Sequence, residues 1–320
     1  MDRLQSMRVF AKVVEMGSFA KAADALELSA TVVTRNLADL ETHLGSRLLN
    51  RTTRKLSLTE SGQVYLARVR QILSDIEDAD AEVSSQSRTA SGVLRIYCQP
   101  GFGQSQLGRL LPLYARDMPD VVLDVTLSDH GVDLVQEGFD VGIFLGVQKF
   151  DSSLVARQLA TSNLILCASP EYVARRGEPI APADLSNHDC LNFAYEQLRH
   201  HWPIQWGDQH VNVPIHSRMI SNNGAVLREA ALAGMGVAIR SSFAIEDDLT
   251  SGRLVQLLKG RHLGQTSVMI VYPSRRLMSW KTRTFIDFMA ARFPHPKCDP
   301  WLAETEAVAE ASPDAACRAK

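Results

Sequence analysis

Hydrophobic positions near the amino terminus recur at helical spacing and are broken at short intervals. Leu4, Met7, Phe10 and Val14 share one face. Ser18 reads as an N-cap, followed by Phe19, Ala22, Ala23 and Leu26 at i, i+3, i+4 and i+7. A short turn later Ser29 caps a third pattern, whose buried stripe is Val33, Leu37, Leu40 and Leu44. Its opposite face carries Thr31, Arg35 and Thr42, with Thr34 on the flank. The alanine pair lets the second and third helices approach closely across the turn. That is the outline of a helix-turn-helix, whose second member lays its N-terminal side chains in the major groove. Threonine offers a hydroxyl and a methyl to phosphate and base edges, and arginine pairs bidentately with guanine. The alternative is a small helical bundle with a solvated polar face.

After Gly62 the apolar residues Tyr65, Val69, Ile72, Ile76, Ala79 and Val83 step by fours and threes. That is a heptad seam, which asks for a partner helix. Roughly 28 residues at 1.5 Å give a rod of about 42 Å. Thr59 caps its start, and the small polar run "SQSRTASG" ends it. Pairing of this rod with a second copy would hold two reader heads at a fixed separation, so the expectation is a homodimer on two half-sites. The competing expectation is a helix packed on its own chain.

From Val93 the pattern changes to alternating strand and helix. "VLRIYC", "VVLDVTLS" and "DVGIFLG" read as strands separated by helical segments, an order that predicts a parallel sheet wrapped by helices. "NLILCASPEYVARRG", "SNNGAVLREAALAGMGVAI" and "SVMIVYP" followed by "WKTRTFIDFMAARF" continue it. Two such lobes side by side, with the chain crossing near 161–168 and 265–272, would make a periplasmic-binding-protein-like domain. The predicted division is therefore a winged helix-turn-helix at 1–58, a linker helix at 59–90 and an α/β effector domain at 91–294. Lobe I takes about 91–161 and 267–294, lobe II about 162–266. The Ala-, Glu- and Pro-rich tail at 295–320 is expected to be disordered.

Ligands of open α/β sheets bind beyond the carboxyl ends of strands, where helix N-termini point bare N–H groups. "QPGFGQ" after the first strand and "ISNNG" before a helix of the second lobe answer that description. The expected effector residues are Gln99, Pro100, Gly101, Phe102, Phe144, Ser221 and Asn222, with His130 and Phe193 as weaker members. For each the ordinary alternative stands: a core phenylalanine, or a plain N-cap serine. A crevice lined by backbone amides favours an anionic small molecule.

Charge sharpens this division. The net charge of −2 argues against a nucleic-acid partner, yet 45–58 holds Arg47, Arg51, Arg54 and Lys55 without an acid. A two-stranded wing there would bring Arg51 and Arg54 to the backbone or minor groove. At 320 residues, 45% hydrophobic and 22% charged, the chain has the makeup of a multidomain soluble protein. No apolar run reaches spanning length, and Arg8, Lys12 and Glu15 interrupt any signal-peptide core, so a cytoplasmic location without membrane attachment is expected. The five cysteines lack CxxC spacing, so reduced thiols are expected, with neither a disulfide framework nor a zinc site. His200 and His201 have no acid or cysteine at ligand spacing, "GMGVAI" is misplaced for a dinucleotide fingerprint, and no GxSxG appears. No metal, cofactor or catalytic set is expected.

At the level of whole motifs the sequence resembles the LysR-type transcriptional regulators. The matching stretches are "GSFAKAADALELSATVVTRNLADLETHLGSRLLNRTTRKLSLTESG", "GVLRIYCQPGFGQSQLGRLLP", "LSDHGVDLVQEGFDVGIFLG" and "EAALAGMGVAI". The N-terminal match fixes Ser29, Arg35, Leu40–Glu41, Leu44–Gly45, Arg51, Arg54, Leu58–Thr59 and Gly62 together. Val32 stands where the family usually has Ala, at the edge of the DNA-facing surface, and Leu49 stands at a core site usually held by Phe. The resemblance implies linker-helix dimers, often joined into tetramers, on interrupted palindromes of double-stranded DNA. A small-molecule effector between the lobes would change their affinity or geometry. A second reading makes the α/β part a solute-binding or enzymatic domain with an N-terminal interaction module. The missing secretion signal and the missing nucleophile or metal set count against it.

Overall fold

The computed structural model describes residues 2–52, 55–83, 90–146, 148–206, 209–259, 263–274 and 278–302. The amino-terminal unit comprises α1 (Arg3–Met16), α2 (Phe19–Ala25) and α3 (Ala30–Leu44), followed by the antiparallel pair β1 (Leu49–Thr52) and β2 (Lys55–Leu58). Side chains of Asp2, Ser18 and Ser29 cap the three helices, and Gly17 and Gly45 close α1 and α3 in the left-handed region that favours glycine. Phe10 and Val13 of α1, Ala22 and Ala23 of α2, and Val33, Leu37 and Leu40 of α3 meet in one core. Leu49 joins them at 2% exposure, so the leucine does refill a core position.

The wing is tied to the next helix, α4 (Glu60–Val83), through Thr59. Its Oγ1 accepts from the Gly62 amide at 2.9 Å and donates to the Arg47 carbonyl at 2.7 Å. A Cβ on Gly62 would lie 2.0 Å from the Leu48 carbonyl oxygen, so only glycine permits this approach.

The heptad seam does not all face outward. Val69 is fully buried and Tyr65 packs on Phe10 at 5.9 Å between ring centroids, both within the helix-turn-helix core. These two members are satisfied by α1 of the same chain, because the first turns of α4 lie along α1 and not yet clear of it. Ile72 remains 39% exposed and Ile76 half-buried, while Val64, outside the seam, is 62% exposed. Ala79 and Val83 lie in the helix, but their side chains fall outside the described residues.

The remaining strands, apart from one hairpin, form a single sheet shared by both lobes. Lobe I contributes β3 (Gly92–Cys98), β4 (Val121–Leu127) and β5 (Val141–Leu145), with β3 parallel to both neighbours. A broken helix follows β3: α5 (Pro100–Phe102), a π turn (Gly103–Leu107) and α6 (Gly108–Asp117); α7 (Leu134–Glu137) precedes β5. The long strand β6 (Leu154–Ala168) passes from lobe I into lobe II without a loop. Lobe II holds α8 (Pro170–Arg176), β7 (Asp189–Phe193), the hairpin β8 (His201–Trp206) with β9 (Gln209–Pro214), and β10 (His216–Ser221). It continues with α9 (Gly224–Leu232), β11 (Val237–Ser241), α10 (Ser242–Thr250) and β12 (Val255–Gln256). β13 (Gln265–Pro273) returns to lobe I, and α11 (Trp280–Arg292) packs there. In order the sheet runs β10, β7, β11, β6, β13, β5, β3, β4, with β12 also on β6. Up to Asn163 strand β6 pairs with β13, and from Leu164 it pairs with β11. The neighbour of β6 therefore changes between Asn163 and Leu164.

Two expectations need correction. The tail expected to be disordered from residue 295 is packed through its first turn. Trp301 is 5% exposed among Phe102, Phe243 and Phe293, and Asp299 accepts from Ser242 and from the Asn163 amide. One tryptophan supplies enough apolar surface to dock the segment; residues 303–320 lie outside the described residues. Nor is every cysteine a thiol. Cys98, Cys167 and Cys190 are free and buried, with burial pushing the last two up to about 12, but Cys298 is disulfide-bonded. It lies in the half-exposed turn after α11, outside the apolar interior that shelters the other three.

Because Trp301 bridges α5, α10 and α11, Trp301→Ala should cost about 3–5 kcal/mol in the effector domain, as expected for a buried aromatic truncation. Guanidinium denaturation followed by circular dichroism reads it; an unchanged midpoint would return the segment to a passive tail.

Candidate functional site

Two surfaces answer the sequence-level expectations, the outer face of α3 and the crevice between the lobes. On α3 the buried stripe faces α1, which leaves Thr31, Val32, Thr34, Arg35 and Ala38 exposed together. Ser29 is a true cap, its Oγ accepting from the Val32 amide at 3.3 Å. Thr34 donates its hydroxyl to the Ala30 carbonyl at 2.8 Å, which turns its methyl outward and lets the hydroxyl only share itself with a ligand. Arg35 has a side chain 83% exposed, held only by a 3.9 Å contact with Asp39. Such a weak exposed pair is readily exchanged for a phosphate or a guanine edge. Asn36, which the sequence pattern does not single out, ties α3 to α1 by accepting from the buried Ser6 hydroxyl at 3.1 Å.

Behind the reader helix, Glu41 places the wing. Its Oε1 accepts from the amides of Leu48 and Leu49 at 2.8 and 3.2 Å. A carboxylate holding successive amides is a strong, directional clamp. Arg51 lies in β1 opposite Leu56, with its side chain outside the described residues, and Arg54 lies wholly outside them.

The interlobe crevice has a volume of about 320 Å³. Gln99, Pro100 and Gly101 from lobe I and Asn222 and Phe193 from lobe II line it, as the sequence suggested. Gln99 is anchored there: its side-chain oxygen accepts from the Leu145 amide at 2.5 Å. Four expected members do not reach the crevice. Phe102 is fully buried against Phe243 and Trp301, because the helix beginning at Pro100 turns that ring inward. Phe144 packs on Tyr97 and Phe150 and, with His130, borders a separate depression in lobe I. Ser221 ends β10, where its Oγ accepts from the Asn223 amide at 3.0 Å. The helix N-cap is Asn223, whose Oδ1 accepts from Ala225 and Val226 at 2.9 and 3.3 Å.

Other crevice residues have no motif to announce them. The rings of Phe193 and Tyr195 stack at 5.6 Å, and Leu164, Leu191 and Ile239 supply apolar wall. Burial pushes the Asp129 carboxyl above its usual value, and neighbouring His130 opposes the rise. Arg240, near the end of β11, is 5% exposed and lines the same crevice. Its only signal in the sequence is a lone cation within the otherwise apolar run "VAIR". Apolar walls with a few convergent polar groups suit a small organic ligand. Among the described residues, no cluster of three or more His, Cys, Asp or Glu stands ready for a metal, and no helix is long and apolar enough to cross a membrane.

As the cap of α9, Asn223 fixes the helix end that opens on the crevice. Asn223→Ala should lower stability by about 1 kcal/mol. Thermal unfolding of the full chain checks this, and an unchanged midpoint would show that the cap is dispensable.

Known proteins resemble both parts of the chain. Residues 4–63 match the family described as "Bacterial regulatory helix-turn-helix protein, lysR family", and residues 87–294 match "LysR substrate binding domain". The HTH-type transcriptional regulator DmlR of Escherichia coli (strain K12) is 34% identical over 294 residues, spanning 91% of this chain and 94% of the relative. The solved structure of CrgA, a LysR-type transcriptional regulator from Neisseria meningitidis, is 31% identical with a TM-score of 0.60, covering 91% of this chain and 99% of that one. The full-length structure of the Vibrio cholerae virulence activator AphB is 27% identical with a TM-score of 0.58, covering 91% and 99%.

Proposed function

Since the chain belongs to the LysR family of DNA-binding transcriptional regulators, we propose that it reads an interrupted-palindrome operator through paired α3 helices and is controlled by a small molecule in the interlobe crevice. It acts as a regulator in the cytoplasm, where DNA is, and not as an enzyme. Thr31, Thr34 and Arg35 meet base edges, Ser29 presents the helix start to a phosphate, and Arg51 and Arg54 follow the backbone or minor groove. The observation that carries this reading is the outward row on α3: its exposed arginine and threonines stand opposite a stripe buried in the domain core.

Dimerisation belongs to α4, with homotetramers built from such dimers. With Tyr65 and Val69 already occupied by α1, the partner-facing surface is the row of Val64, Arg68 and Ile72, continuing through Ile76. Alongside Val64, the exposed Leu44 widens the apolar strip. The helix also touches lobe I at α7, so movement of that lobe can reach the reader heads. A ligand moves them only if it favours one arrangement over the other. The amides at the start of α9 suit an anionic ligand.

Arg35→Ala should cost about 1–3 kcal/mol per lost base contact and abolish operator selectivity. Arg54→Ala should weaken binding to all duplexes and flatten the salt dependence, because a phosphate contact releases counterions without reading sequence. Footprinting and salt titration separate the two; an unchanged Arg35→Ala footprint would remove α3 from the operator.

A further inference from the structure

Arg240 is the unusual group in the crevice. Its guanidinium lies over the Phe193 ring at 5.1 Å, under Gly224 at the start of α9. A Cβ on Gly224 would come within 2.5 Å of its Nη2, so a larger residue there would displace the guanidinium. The side chain is 95% buried in the sense that only 5% of its surface is exposed, and Nε has no hydrogen-bond partner. Among the described residues it is the only buried side-chain nitrogen or oxygen left unsatisfied.

The neighbouring charges do not supply a counterion. Asp248 is fully buried, but it already holds Arg228, at 2.5 and 2.7 Å, and Arg253, at 2.6 Å. Arg228 also spends itself on Glu229. Asp129, on the facing wall from lobe I, makes no ion pair with Arg240. Burial, and secondarily the Arg228 charge, pull the Arg240 guanidinium down to about 10, which still leaves it cationic at neutral pH. A buried cation without a partner is costly, and such groups persist where something else pairs with them. Phe193 supplies a cation–π contact but cannot neutralise the charge.

We propose that Arg240 is the anchor for a small monocarboxylate effector with a ring-sized apolar body. This inference rests on the crevice being the effector site and adds the chemistry of its ligand. The carboxylate pairs with the guanidinium beside the N-terminus of α9, where the helix end also favours negative charge. The body lies between the stacked Phe193 and Tyr195 rings and the aliphatic wall of Leu164, Leu191 and Ile239. A volume of about 320 Å³ accommodates a substituted benzene or cyclohexane ring with room for further substituents. Gln99 and Thr266 remain to select a polar substituent on the far side.

The test is thermal unfolding of the full chain, at fixed ionic strength, with benzoate, phenylacetate and cyclohexanecarboxylate against their neutral amides. At about 10 mM the acids should raise the midpoint by about 3 °C or more and the amides should not, since only a ligand selective for the folded state shifts it. Arg240→Met keeps length and packing but removes the charge. It should erase the acid response and raise the ligand-free midpoint, a gain that a merely structural arginine would not give. Equal shifts by acids and amides, no shift by any acid, or an acid shift that survives Arg240→Met would each overturn the assignment. Neutral ligands that act through the crevice regardless of Arg240 would leave the proposed regulator intact and remove only its carboxylate. Loss of operator binding in Arg35→Ala is independent of all these outcomes, so failure of one reading does not mimic failure of the other.

Discussion

Burial of the α3 stripe against α1 is the constraint on which the reader surface depends. Val33, Leu37 and Leu40 are fully excluded from water beside Phe10 and Val13. A helix can turn only one face inward, so fixing that face fixes the other. Thr31, Thr34 and Arg35 point outward because the leucines cannot. Each fully buried aliphatic side chain contributes about 1.5–3 kcal/mol, far more than the Arg35–Asp39 contact on the opposite side. Rotating α3 to hide the arginine would forfeit the stripe. The orientation of the polar face is thus a by-product of packing, held more firmly than any surface interaction could hold it.

In the effector domain the corresponding constraint is covalent. Strand β6 belongs to both lobes, pairing with β13 on one side of Asn163 and with β11 on the other. A crossing made of continuous ladder leaves few freely rotating bonds, so relative lobe motion is confined to bending where the neighbour changes. The crevice lies above that line, with Leu164 among its walls. Its residues therefore change their separation together when the strand bends. Lobe contacts such as the Arg109–Asp247 pair and the Gln106 amide donating to the Phe243 carbonyl at 2.7 Å bound the same movement from outside.

Legibility in the sequence followed how local each determinant is. Caps at Ser18 and Ser29, the alanine pair and the stripe of α3 are read within single turns, and they stand in the structure as the spacing predicts. The parallel order of β3, β4 and β5 was visible because strand and helix patterns alternate along the chain. The hairpin of β8 and β9 was hidden: His201 and Pro203 face outward, and only Trp202 and Ile204 carry the alternation. Phe102 shows the limit at the crevice. Its glycine-rich loop brings Gln99, Pro100 and Gly101 to the crevice wall, but the direction of a ring depends on Phe243 and Trp301, which are distant in sequence. The helix seam failed for the same reason. Heptad spacing states that Tyr65 and Val69 must be covered, and it is silent on whether α1 or another chain covers them. Arg240 was illegible because what distinguishes it is an absence of partners, which only three dimensions reveal.

Helix α4 is where the surfaces become one device. Tyr65 and Val69 weld its first turns to α1, so the reader head follows the helix as a rigid body. In the same turns, its Ala67 carbonyl runs close to Gly138, just after α7 of lobe I. Coupling then needs no chain of residues across the molecule. It needs only that lobe I change its packing on α4 when the crevice closes. A charge stranded in that crevice supplies a reason for closure, because pairing it is worth more in the arrangement that excludes water. Under the proposed function, the reader head would answer a ligand far from it because one stiff element is gripped by α1 and by lobe I in the same turns.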